Sequence, residues 1–146
     1  YYWTPNCDTW PASIADFGDN FYGPYFAYLM RRHQLTDVYI TNVVKCRWEA
    51  DLGGAGQDKS TIVNHCGERF LAREIANLEP QLAFCFGSDA ETASRKFLER
   101  EAPQCQVQQL LHPGYIEHRA QAHGRTQQEC VEINDNRVSE ALQGII

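Results

Sequence analysis

Apolar residues recur along this chain with helical and strand periods in turn, and each switch of period marks an element boundary. Tyr25, Phe26, Leu29 and Met30 share one face of a helix that Pro24 opens and that runs to about Gln34. The run from Val38 to Val44, apolar and β-branched apart from Asn42, predicts a buried strand. Gly53, Gly54 and Gly56 make Glu49 to Lys59 a flexible loop. Ser60 or Thr61 suits the cap of the next helix, on which Ile62, Cys66, Phe70, Ile75 and Leu78 recur until Pro80 stops it. Leu82 to Phe86 reads as a second strand, followed by a helix capped by Ser88 or Asp89, bearing Ala90, Ala93, Phe97 and Leu98, and ended by Pro103. Cys105 to Leu111 reads as a third strand, His112-Pro113-Gly114 as a turn, and Cys130, Ile133, Val138 and Leu142 as the buried face of a last helix.

Helices alternating with strands through short links predict an α/β fold: a small parallel sheet with helices on both faces, in a single domain over residues 1–146. Residues 1–20, rich in aromatics, Pro, Asn and Asp without a sustained period, read as an irregular loop. Such a sheet is small, so a first strand is expected either to be missing by N-terminal truncation or to lie on another segment. In open α/β sheets ligands bind at the carboxyl ends of strands. Asn42, Lys45, Cys46 and Arg47 after the first strand, and His112 after the third, are therefore expected to converge on one crevice.

Composition narrows the function. A net charge of −6 excludes a protein that grips nucleic acid by bulk electrostatics. It leaves room for a local basic groove built from Lys45, Arg47, His118 and Arg119. No apolar run approaches the ~20 residues that span a bilayer, and the N-terminus lacks signal-peptide zones, so a monomeric, intracellular (cytoplasmic) protein without membrane contact is expected. With 43% hydrophobic residues a core is available without disulfides, so Cys85, Cys105 and Cys130 read as buried free thiols. Cys46 and Cys66 stand apart, neither lying inside a strand.

Four features in fixed order carry a resemblance: Val38-Tyr39-Ile40-Thr41-Asn42-Val43-Val44-Lys45-Cys46-Arg47; Cys66 followed by Phe70-Leu71; Leu78-Glu79-Pro80-Gln81-Leu82 leading to Gly87 and Ala90; and His112-Pro113. Over about Phe21 to Tyr115 the chain resembles the uracil-DNA glycosylase superfamily, most closely its iron-sulfur branch. The resemblance implies a three-layer α/β fold, uracil-containing or single-stranded DNA as partner, and excision of uracil by hydrolysis of the N-glycosidic bond. It implies that Phe21 stacks on the flipped base, that Asn42 reads its Watson-Crick edge and that His112 hydrogen-bonds its oxygen as the bond breaks. It further implies a wedge at Tyr115 or Ile116, DNA contacts from Lys45, Arg47 and Arg119, and Cys46 and Cys66 as the second ligand pair of a 4Fe–4S cluster. The first cysteine pair of that branch has no counterpart here, and Cys7 is the nearest third ligand. The superfamily positions its attacking water from a Gly- and Pro-containing loop, whose nearest match, Asp8-Thr9-Trp10-Pro11-Ala12-Ser13, gives that role to Asp8.

The chemistry accounts for these residue types. A departing pyrimidine carries negative charge, which a fixed donor stabilises; extrusion loses stacking, which an aromatic platform restores; an amide offers both donor and acceptor to a base edge. Each residue also has a plainer reading: Phe21 as a core aromatic, Asn42 as a partner of local backbone, His112 as a turn residue before Pro113. A non-catalytic member of the same fold, binding nucleic acid or a protein partner, is the alternative. An unrelated nucleotide-handling enzyme is disfavoured because no Gly-rich phosphate loop joins a strand to a helix.

Overall fold

The computed structural model describes residues 21–44 and 59–145. The chain divides into two compact units, Tyr1–Ile40 with Leu110–Ile146, and Thr41–Gln109. Among the described residues the strands form one parallel two-stranded sheet in the order β1-β2, joined through a helix, so the described fold is α/β.

In the first unit α1 (Tyr22–Arg32) buries Tyr25, Ala27, Leu29 and Met30. Arg31 and Arg32 in its last turn complement the negative end of the helix dipole. It starts before Pro24 and stops short of Gln34, which turns left-handed at φ 53°. Helix α5 (Pro113–His118) carries Pro at its first position, where the missing N–H is no loss. The predicted turn at 112–114 is thus a helix start. A 3₁₀ turn (Gln121–His123) follows, and Gly124 leaves it at φ 70°.

The last helix, α6 (Gln127–Gln143), opens with a capping box in which the Glu129 N–H donates to Thr126 Oγ1 (3.1 Å) and the Thr126 N–H to Glu129 Oε2 (2.7 Å). It buries Cys130, Val131, Asn134, Val138 and Ala141. The face is rotated from the expected one: Ile133 and Leu142 are half-buried, and a polar residue occupies its centre. Thr126→Ala is expected to lower unfolding stability by about 1 kcal/mol, read as a lower urea midpoint at unchanged slope. The backbone N–H of Thr126 holds the Glu129 carboxyl below the usual carboxylate range. That part of the cap is present above the ordinary carboxylate pKa and is lost as pH falls through the depressed one.

The second unit begins its described helices with α2 (Lys59–Cys66), continues through a π-turn (Gly67–Leu71), and finishes with α3 (Ala72–Leu78). Ser60 lies inside α2 rather than capping it, and Glu79 at φ 45° closes α3 before Pro80. Strand β1 (Leu82–Phe86), helix α4 (Ser88–Glu101) and strand β2 (Gln106–Leu110) complete a β-α-β element. The cap of α4 is Gly87 at φ 91°, with no side-chain cap, and the expected Ser88 and Asp89 sit in its first turn. Leu71, Ala72, Ile75, Phe97 and Leu98 form the core, covered by Val43, Ala83, Ala102, Cys105 and Val107.

The expected strand at 38–44 is not a strand. Its β-branched residues are used differently: Val43 packs on the core and the Thr41 hydroxyl donates to Glu74 Oε2 at 2.8 Å. A β-preference needs a neighbouring strand to be realised, and among the described residues the sheet consists of β1 and β2. Cys85 and Cys130 are buried free thiols, as expected, whereas Cys105 is half-buried just before β2; Cys66, set apart in the sequence, is buried as well. Burial pushes the Cys85 and Cys105 thiols up, away from thiolate character.

Candidate functional site

Where β2 ends, Leu111 leads into His112, whose backbone is extended at φ −66° and ψ 136°. His112 caps α5 with its own ring: Nδ1 accepts a hydrogen bond from the Gly114 N–H at 3.0 Å. A nitrogen that accepts cannot carry a proton, so the neutral ring holds its hydrogen on Nε2 as a donor. The residue is exposed, so that donor is presented outward. Tyr22 meets the ring edge-on, with centroids 5.8 Å apart. A Cβ on Gly114 would lie 2.5 Å from the Tyr22 hydroxyl oxygen and 3.3 Å from His112 Nδ1, so glycine lets both rings close over this turn.

Behind the histidine sits Asn134 of α6, which is fully buried. Its Oδ1 accepts from the Leu111 N–H at 2.7 Å, and its Nδ2 donates to the Leu111 carbonyl at 3.0 Å. Nδ2 also donates to the Tyr25 hydroxyl. Burial drives the Tyr25 phenol well above its ordinary pKa, partly offset by that bond. Phe21 stacks on Tyr25 at a centroid distance of 5.3 Å and an interplanar angle of 25°. Phe21 and His112 are therefore joined through Tyr25, Asn134 and Leu111. Phe21 is 4% exposed, so the residue expected to serve as a base platform is enclosed, with one face against Tyr25.

A second polar group ties α1 to α6: the Tyr28 hydroxyl donates to Asp135 Oδ2 at 2.7 Å, and His33 Nε2 lies 3.1 Å from Asp135 Oδ1. Burial, with the Asp135 bond, pushes the Tyr28 phenol up to about 12. Next to Asn134 in sequence, this brace fixes the rotation of α6 that delivers the amide to Leu111.

The other expected site residues divide between the units. Tyr115 is half-buried and stacks on His123 at 5.6 Å, Arg119 is exposed just past α5, and Ile116 is fully enclosed in the core. Asn42 is exposed in the irregular segment of the second unit, not at a strand end. Cys66, at the end of α2, is fully buried. Asp8, Lys45, Cys46 and Arg47, with Cys7, lie outside the described residues.

A 4Fe–4S cluster takes four thiolates. Among the described residues no three His, Cys, Asp or Glu side chains are grouped to hold a metal, and Cys66 is the sole expected ligand. These residues by themselves do not make a cluster site. No helix among them is long and apolar enough to cross a membrane.

Sequence reasoning missed Asn134. Its signal lay in the spacing Cys130, Asn134, Val138: an amide in the middle of an i, i+4 apolar row, where it has to find partners inside the protein.

Against known proteins, the family model described as the uracil DNA glycosylase superfamily matches residues 12–136. No curated protein and no solved structure shows a significant match.

Proposed function

From the premise that the chain belongs to the uracil DNA glycosylase superfamily, we propose that it flips uracil out of DNA and hydrolyses its N-glycosidic bond. The observation that carries this reading is the His112 ring, whose Nδ1 is occupied by the Gly114 N–H and whose Nε2–H is left as an exposed donor.

In this reading the C1′–N1 bond breaks heterolytically. The electron pair stays on the uracil, and the sugar passes through an oxocarbenium-like state. Nε2–H of His112 donates to the pyrimidine oxygen on which that negative charge accumulates, stabilising the transition state more than the ground state. A neutral imidazole suffices, because the charge needs a donor rather than a transferred proton. Water then attacks C1′, and Asp8 is assigned to hold it and take its proton. Asn42 has the donor and acceptor to distinguish uracil from cytosine. Tyr115 is the wedge for the vacated base position, since Ile116 is committed to the core. Lys45, Arg47 and Arg119 supply local positive charge toward phosphates on an otherwise acidic protein.

The enclosure of Phe21 favours a second reading, a non-catalytic superfamily member that binds nucleic acid. One experiment separates the two. Incubated with a uracil-containing oligonucleotide, the protein is expected to release free uracil and leave an alkali-labile abasic site. Retention of abasic or uracil-containing DNA without any release would establish the second reading. Visible absorbance and iron content of the same preparation decide whether Cys46 and Cys66 hold a cluster.

A further inference from the structure

We infer that Asn134 is a positioning residue for His112, an inference that rests on the proposed glycosylase reaction and extends it to a side chain on the last helix. Leu110 is the last residue of β2, so at Leu111 the backbone N–H and C=O have left the ladder. Both are taken up by one side chain, with Oδ1 of Asn134 accepting from the N–H at 2.7 Å and Nδ2 donating to the carbonyl at 3.0 Å. The amide thus replaces a strand partner for a single residue.

The Leu111 carbonyl belongs to the peptide group whose nitrogen is that of His112. Pinning it fixes the plane from which the His112 side chain departs. The Gly114 N–H then fixes the ring from the other side, through Nδ1 at 3.0 Å. Between them these bonds set the direction of Nε2–H. The second Nδ2 hydrogen goes to the Tyr25 hydroxyl, and Tyr25 carries Phe21 on its ring, so the same amide also sets the depth of that aromatic. A fully buried amide with both hydrogens and its oxygen engaged is a rigid support, because any rotation leaves a buried polar atom unpaired.

Single-turnover uracil release is the test, on the full chain and on Asn134→Ala, His112→Ala and the double variant. Asn134→Ala is expected to slow the maximal rate by about 30- to 100-fold, the scale of a misplaced catalytic group, with the half-saturating DNA concentration changed by less than about threefold. Combined with His112→Ala it should add less than about twofold, because it acts through that ring. A folded Asn134→Ala protein at near full rate, or a loss that persists undiminished without His112, would overturn the inference. Should the alanine variant not fold, Asn134→Asp keeps the acceptor for the Leu111 N–H and loses both donations. It should lose roughly tenfold with the same dependence on His112, and full activity there would refute the role equally.

If the unaltered protein releases no uracil, it is the proposed reaction that fails. The positioning is then read from the ¹⁵N shifts of the His112 imidazole. A bare Nδ1 is expected in the unaltered chain and a tautomer mixture in Asn134→Ala; identical spectra would count against Asn134.

Discussion

His112→Asn is expected to reduce uracil release by about 10²- to 10³-fold while leaving the fold as stable as before. The two effects separate because His112 has two tasks on two nitrogens. Nδ1 caps α5 by accepting from the Gly114 N–H, and Nε2–H is the proposed donor to the leaving base. Asparagine is among the best N-cap residues, so its side-chain oxygen takes over the first task. Its amide is shorter than the imidazole and does not reach where Nε2 reached, so the second task is lost. His112→Ala loses both, adding about 1 kcal/mol of destabilisation to the same kinetic defect. Urea unfolding of both variants beside their single-turnover rates provides the comparison. Asparagine at full activity would mean that the histidine is a helix cap and nothing more.

How much of this was legible in the sequence depends on whether a residue's partners are local. Strand β1 was readable to its ends, because Leu82 to Phe86 is an apolar run closed by Gly87. Helix α4, set between Gly87 and Pro103, and the position of His112 just after β2 follow from the same kind of punctuation by Gly and Pro. The segment 38–44 has strand composition without a strand, since what Val43 and Thr41 do is decided by α3 and α4, far off in sequence. Phe21 was recognisable as an aromatic in the right place; that it lies enclosed against Tyr25 was not, because burial depends on the packing of the whole unit. Asn134 was overlooked because asparagine on a helix ordinarily faces water, and its partners at Tyr25 and Leu111 are 109 and 23 positions away. The π-turn at Gly67 was equally hidden. At its first residue, Gly67, the chain comes close to the Phe97 ring of α4.

That approach gives the largest expected effect on stability. Phe97 is fully buried at the centre of the second unit's core, with Lys96 Nζ 4.5 Å and Arg100 Cζ 5.5 Å from its ring centroid. A Cβ on Gly67 would stand 2.3 Å from the ring, so the ring occupies space that glycine alone leaves open. Phe97→Ala removes the ring and leaves a cavity that helices on either side cannot close, at a cost of about 4 kcal/mol. For a chain of this length that corresponds to a Tm lower by roughly 10–15 °C. Gly67→Ala alone should cost about 1–3 kcal/mol by forcing the ring out of its seat. The two substitutions are expected to be strongly non-additive, because once the ring is gone the new methyl group enters an empty space and fills part of it. The double variant should therefore be no less stable than Phe97→Ala, and strict additivity in thermal unfolding would show that Gly67 is present for its backbone conformation instead of for the ring beside it.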